Sequence, residues 1–275
     1  MADTPPPRLP VLDIVKAALA ASLANFQILA LLGIFYLAIM IAATRPFWDL
    51  YMTLATLTPG APLPPAIGPE MLKFYVVFFL VIGPVSYGVG VIWLRVIGLG
   101  REAAFDGGAR AFFRRLLMVF WRTLCYLGLT LASLLPVILL GGLLAALFGG
   151  SQATVATVTM TLVSFWLVLF LLLTIGYAVS AGATSMDGEL GVLAALRLIR
   201  GNWVASGFVF ILLYTPVFLA SIIISLASLL AAQGGSLVMG GVLVLQLALS
   251  FVFYGIAGAA TVLIYRFVAS QPPAS

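Results

Sequence analysis

Apolar residues run along this chain in blocks too long for one face of a soluble helix. Six stretches of 18 or more residues carry no charged side chain, at 26–43, 74–94, 123–148, 155–180, 204–231 and 237–265. About 20 apolar residues at 1.5 Å each cross the hydrocarbon of a bilayer, so each block predicts one membrane-spanning helix. The third and fourth blocks, and the fifth and sixth, are nearly continuous. They are divided only by GGSQAT (149–154) and AAQGGS (231–236), where Gly, Ser and Gln interrupt the apolar pattern and predict tight turns. The pattern therefore predicts an all-α, six-span polytopic protein: a tail over 1–10, one transmembrane domain over 11–266 and a tail over 267–275.

Composition agrees and excludes much else. Of 275 residues, 64% are hydrophobic and 8% charged, with a mean hydropathy of +1.24. A soluble domain is about half apolar and about a quarter charged. Soluble enzymes, nucleic-acid binders and disordered scaffolds are thereby excluded as readings. Histidine is absent, which removes the commonest general base and the commonest transition-metal ligand. The single cysteine, Cys125, lies in an apolar run and reads as packing. Gly98-Leu99-Gly100 and Gly107-Gly108 follow a span rather than a strand, so they do not form a nucleotide-binding loop. No enzyme, metal or cofactor is expected.

The charges set an orientation. With the N-terminus inside, one face collects Arg8, Lys16, Arg95, Arg101, Arg110, Arg114, Arg115, Arg122, Arg197, Arg200 and Arg266, and the other only Arg45 and Lys73. Basic residues accumulate on the cytoplasmic side of membrane proteins, so both termini are expected there, with the first span acting as an uncleaved anchor.

A repeat underlies the spans. Ala17-Ala18-Leu19 and Asn25 precede the first span, and Ala194-Ala195-Leu196 and Asn202 precede the fifth, at a constant offset of 177. A diverged middle copy places Leu116 and Arg122 at the same separation. In that copy Phe112, Phe113, Leu116 and Phe120 share one helical face and Arg110, Arg114 and Arg115 another, the pattern of a helix lying in the membrane interface. Each copy reads as an interfacial elbow helix followed by a two-span hairpin, three times over. Asp187 or Ser185 is expected to cap the third elbow and Asp106 the second. Gly201-Asn202 suits the elbow-to-span bend because both tolerate the left-handed conformation, and Asn25 marks the same bend in the first copy.

The step Leu196-Arg197-Leu198-Ile199-Arg200-Gly201-Asn202-Trp203 before a long apolar hairpin resembles bacterial six-span inner-membrane proteins. These are the YciC-like proteins and the non-catalytic membrane domain attached to some glycerophosphodiester phosphodiesterases. The resemblance covers most of 11–266 and implies a bacterial inner-membrane location. It implies no hydrolase activity, because the metal-binding carboxylates of the soluble phosphodiesterase barrel are missing.

Candidate functional residues follow from cost and position. An ionisable group deep in a membrane costs about 2.5–3.5 kcal/mol on insertion scales and marks function by default. All eight carboxylates fall in expected tails, loops or elbows, which weakens a proton- or sodium-coupled transporter. The dense inner-face arginines Arg110, Arg114, Arg115, Arg122, Arg197 and Arg200 are candidates for anionic lipid headgroups, each worth about 1 kcal/mol near the surface. Pro84, Pro136 and Pro216 are candidate helix kinks. On the outer side, 44–70 carries six prolines with Phe47, Trp48 and Tyr51, a stiff aromatic-anchored segment that reads as an interfacial belt and cap first and as a docking surface for another membrane protein second. The leading reading is a non-enzymatic accessory, assembly or lipid-organising component, with membrane lipids and another integral membrane protein as partners and no nucleic acid. The alternative is a small-solute transporter or channel. A membrane-embedded lipid enzyme would need Asp187 and Glu189.

Overall fold

A computed structural model describes residues 8–56, 64, 67–147, 152–231 and 236–271. Among them every regular element is helical: α1 (Val11–Ala24), α2 (Phe26–Thr44), α3 (Trp48–Thr56), α4 (Ile67–Val77), α5 (Gly83–Leu99), α6 (Gly108–Leu147), α7 (Gln152–Ser185), α8 (Val192–Leu198), α9 (Trp203–Ala231) and α10 (Ser236–Ala269). Six helical stretches are long and apolar enough to cross a membrane, and each overlaps one of the six apolar blocks, with bounds that differ by up to 15 residues at an end. The turn residues between α6 and α7 and between α9 and α10, the tail ends and most of the proline-rich 57–66 fall outside the described residues.

In the first and third of the aligned segments a helix break falls beside the Asn. Helix α1 stops at Asn25 and α2 starts at Phe26; α8 ends at Leu198 and α9 starts at Trp203. Ala18 and Ala195, equivalent in the repeat, are both fully buried in one core cluster with Ile175, Val179, Ile199, Val209 and Ile264. The middle copy differs. Helix α6 runs unbroken for 40 residues from Gly108, so its elbow and span are a single rod. The cause is local: Trp121-Arg122-Thr123 stands where the other copies have Asn, and nothing there favours leaving the helix. The bends are not left-handed either. Asn25 has φ −110° and ψ 20°, and Asp187 is the single non-glycine residue with positive φ among the described residues. The third bend tightens instead through short-range bonds, from the Asn202 N–H to the Ile199 carbonyl at 2.7 Å and from the Arg200 N–H to the Arg197 carbonyl at 3.2 Å.

The prolines stay within continuous helical paths. Pro136 lies inside α6 and Pro216 inside α9. Pro84 follows a π-helical turn over Phe78–Ile82 that joins α4 to α5, and the Gly83 N–H reaches back to the Phe78 carbonyl. Proline lacks an N–H and its ring crowds the carbonyl four residues earlier, here Leu80; the widened turn accommodates both.

Packing follows membrane rules, in which small residues bring backbones close. A Cβ on Gly176 would sit 2.6 Å from Leu196 Cγ, and one on Gly255 would sit 2.6 Å from Leu29 Cδ1, so α7 abuts α8 and α10 abuts α2. Trp93 locks the same region by donating its indole N–H to the Gly255 carbonyl at 2.6 Å. The outer surface is apolar: Leu31, Phe79, Leu139, Phe165 and Phe218 are all exposed. An apolar exterior of this extent would not be tolerated in water and suits a lipid solvent.

Candidate functional site

One end of the bundle is held by an arginine latch. Helix α5 carries Arg95 one turn before its end, α6 carries Arg115 in its third turn, and Asp187 stands in the turn between α7 and α8. Arg95 is 2% exposed and Arg115 8%. Arg115 grips Asp187 through two nitrogens, Nε to Oδ1 at 2.7 Å and Nη2 to Oδ2 at 3.0 Å, and Arg95 Nη1 reaches the same Oδ2 at 2.9 Å. The remaining donors meet backbone: Arg95 bonds the carbonyls of Ala103, Ala104 and Ser185 at 2.8, 2.8 and 2.9 Å, and Arg115 bonds that of Asp106 at 3.1 Å. Burying two guanidinium groups is tolerable only with such pairing. The hydrogen bonds from Arg115, together with the single bond from Arg95, outweigh the opposing effect of burial and hold the Asp187 carboxyl below its ordinary value.

The sequence between α5 and α6 is built to wrap this centre. Gly100, Gly107 and Gly108 have φ of 92°, 85° and 64°, which lets the 100–108 loop fold its carbonyls onto Arg95 and Arg115. Asp187 itself sits at φ 66°, a conformation that Asp and Asn tolerate better than most residues. Further bonds tie the other helix ends to the same face. Arg266 donates to the Gly98 carbonyl. Arg101 Nε donates to Asn25 Oδ1 at 3.0 Å and its Nη2 to the Ala24 carbonyl at 2.9 Å. The Leu9 N–H donates to the buried Asn202 Oδ1 at 2.7 Å, joining the start of α1 to the α8–α9 bend. Asn25 and Asn202 are therefore acceptors for distant partners at the two bends.

The candidate arginines separate into two groups. Arg110, Arg114, Arg197 and Arg200 are exposed and make no hydrogen bond or ion pair among the described residues, and the apolar Phe105 and Phe113 are exposed beside them. Arg115 is withdrawn from any headgroup role by the latch. Arg122 is half-buried with Nη1 3.4 Å from the Cβ position of Gly191, and its Nε has no protein partner. The α6 faces depart in part from the interfacial reading: Arg110 and Arg114 stay exposed, but Arg115, Val119 and the half-buried Arg122 turn inward at i, i+4 and i+7, while Phe113, Leu117 and Trp121 are exposed. In a lipid solvent the apolar side faces outward.

The capping assignments also change. Gly191 precedes α8 with no side-chain cap, Ser185 Oγ bonds the Ala181 carbonyl, and Asp187 belongs to the latch. Asp106 contributes its carbonyl to Arg115. Glu189 is exposed and stands outside the latch, so Asp187 and Glu189 do not form an acidic pair.

At the opposite end, Arg45–Phe47 forms a 3-10 turn with Pro46 at its start, and α3 follows, where the sequence suggested a stiff proline segment. Phe47 is buried edge-to-face against Phe74 with centroids 5.5 Å apart, so its ring packs this end of the bundle and is not offered for docking. Trp48 is half-buried and shares with Phe47, Arg45, Met71 and Gln246 the lining of a cleft of about 780 Å³. The Tyr51 side chain lies outside the described residues. A second cavity, of about 310 Å³, lies between α5, α6, α7, α9 and α10 and is lined by Tyr87, Tyr177, Tyr214, Tyr254, Trp93 and Phe210 among others. Cys125 is a half-buried free thiol. No group of three or more Cys, Asp or Glu able to hold a metal occurs among the described residues.

Six long apolar helices, with charged side chains gathered at two ends, define a multi-pass integral membrane protein of the all-α class. No family model, curated protein or solved structure matches the chain.

Proposed function

We propose that this chain is a non-enzymatic inner-membrane protein that organises anionic lipids beneath its arginine-rich face, as an accessory or assembly component of the bacterial cytoplasmic membrane. That face is taken as cytoplasmic, with both termini on it, because it holds eleven of the thirteen basic residues. The observation that carries the reading is the division of labour among those arginines. Arg95, Arg101, Arg115 and Arg266 are consumed by internal bonds. Arg110, Arg114, Arg197 and Arg200 stay exposed on the same end, and the structure makes no internal use of them. Topology alone would be served by basic residues of either kind; exposed guanidinium groups flanked by Phe105 and Phe113 match a headgroup layer over acyl chains. The likeness to the YciC-like group, carried by the step from Leu196 to Trp203, belongs to this proposal.

The test is native mass spectrometry of the full chain extracted in mild detergent from membranes of mixed lipid. Retained phosphatidylglycerol or cardiolipin in preference to phosphatidylethanolamine supports the reading, with the preference lost in R110Q/R114Q/R197Q/R200Q. A chain that retains neither anionic lipid nor partner, or a variant with unchanged lipid preference, overturns it. The rival, a small-solute transporter or channel, requires saturable flux in reconstituted vesicles that substitution of Pro136 or Pro216 abolishes. Continuous helical paths through both prolines give that rival little support.

A further inference from the structure

The cavity of about 310 Å³ begins within about one helical turn of the latch, at Leu94, Val119 and Ala181, and runs away from it along the helices to three phenols. At 1.5 Å per residue, Tyr87 lies about 12 Å from Arg95, Tyr214 about 16 Å from Trp203 at the start of α9, and Tyr254 about 18 Å from Arg266. A hydrocarbon core of about 30 Å puts all three phenols among acyl chains. The lining carries no charged residue. Its other polar groups are internally satisfied: Tyr177 Oη pairs with Thr123 Oγ1 at 2.8 Å, Thr174 Oγ1 with Tyr126 Oη at 2.9 Å, and Thr261 donates to the Ala257 carbonyl at 3.0 Å. Trp93 is spent on Gly255.

Tyr87, Tyr214 and Tyr254 differ. Each lines the cavity, and none has a hydrogen-bond partner for its hydroxyl among the described residues. A phenol in hydrocarbon is costly without a partner, and tyrosines in such places ordinarily have one. Gly90 supports the arrangement, because its missing side chain leaves room for Tyr254 Oη, 3.1 Å from where a Cβ would stand. The cavity is open on one flank, where Ile211, Tyr214 and Tyr254 are each about half exposed, at 48%, 49% and 53%. Because that flank meets the bilayer, a ligand can enter from lipid without crossing water.

We propose that this cavity binds an uncharged, membrane-soluble molecule whose carbonyl oxygens accept hydrogen bonds from Tyr87, Tyr214 and Tyr254 while its apolar body lies against Trp93, Phe210 and Ile175. An anion or cation is excluded by the neutral lining. A purely hydrocarbon ligand is disfavoured because it would leave three phenols unpaired. The volume suits a head group of ring size, with any tail extending through the open flank into lipid. The same chemistry is offered by a quinone ring or by the ester carbonyls of a diacylglycerol. The inference is independent of the surface arginines and stands or falls separately from the lipid-organising reading.

The experiment uses the purified full chain and two probes, a decyl-substituted benzoquinone and dioctanoylglycerol, with binding read as a concentration-dependent rise in melting temperature. At least one probe is expected to give a saturable rise of several degrees, and the probe that does so identifies the carbonyl source. The Y87F/Y214F/Y254F variant keeps the rings and removes the hydroxyls. It is expected to weaken binding by about three- to tenfold for each hydrogen bond lost, without lowering the ligand-free melting temperature. Should the triple variant fail to fold, the single variants Y214F and Y254F carry the same comparison. Absence of saturable stabilisation by both probes, or unchanged affinity in the phenylalanine variants, overturns the proposal.

Discussion

Replacing Asp187 by asparagine removes the negative charge at the centre of the latch while keeping a residue that accepts its left-handed backbone, so the change reports on charge rather than strain. Three N–H donors converge on the two carboxylate oxygens. The amide keeps one acceptor and presents an NH2 to a guanidinium group, which leaves at least one bond unmade and two buried cations without a counter-charge. Breaking a fully buried pair costs about 3–5 kcal/mol. Asp187 is not fully buried, with its side chain 41% exposed, and water relieves and screens part of the loss. The expected destabilisation is therefore about 2 kcal/mol, or roughly 4–8 °C in melting temperature for a chain of this size. Thermal unfolding in detergent, followed by tryptophan fluorescence, measures it. The pH dependence gives a second readout. Because the folded carboxyl is held below its ordinary value, its contribution is complete above about pH 4 and is lost as pH falls through the lower folded value. Wild type should show an acid loss of stability that D187N lacks. A double variant D187N/R115Q should lose less than the sum of its single variants, as coupled partners do. A D187N protein melting within 1 °C of wild type, with a superimposable pH profile on the scale implied by the handful of bonds lost, would refute the latch.

Other consequences can be checked in the same assay. N202A strands the buried Leu9 N–H and is expected to cost about 1–3 kcal/mol, with faster tryptic cleavage at Arg8 or Lys16 as the N-terminal segment loosens. G176A drives a methyl to 2.6 Å from Leu196 Cγ and 3.3 Å from the Val192 carbonyl, so overpacking between α7 and α8 should cost about 1–3 kcal/mol. R101Q removes exposed bonds to Asn25 and the Ala24 carbonyl and should lower stability by less than about 1 kcal/mol, a contrast with Asp187 that separates peripheral from central members of the same face.

The spans were legible because about 20 residues of hydrocarbon demand an unbroken apolar run, and nothing else in the chain produces one. Helix breaks fall beside Asn25 and before Trp203, where the sequence suggested bends, although they are made with ordinary helical-side angles and long-range acceptors rather than left-handed residues. Arg95 and Arg115 were not legible as latch residues. Their signal was the same basic residue that orientation requires, and the partner Asp187 lies 92 and 72 positions away. The inward alignment of Arg115, Val119 and Arg122 at i, i+4 and i+7 was the clue within reach. It was hidden by a rule suited to interfacial helices, which puts the arginines outward. The phenolic cavity left no pattern in the sequence, because its four tyrosines come from four helices that only tertiary packing brings together.

The account depends on the charged ends of one bundle facing opposite sides of a bilayer, and Cys125 makes that directly measurable. With C125A as a cysteine-free background, single cysteines at Arg110, Glu189 and Ser270 mark the arginine-rich end, and single cysteines at Asp49 and Lys73 the other. A membrane-impermeant maleimide applied to right-side-out vesicles should label positions 49 and 73 and spare 110, 189 and 270, with the pattern reversed in inverted vesicles. Labelling of both sets from one side, or of position 110 from one side and 270 from the other, would contradict the six-crossing arrangement and the lipid-facing role built on it.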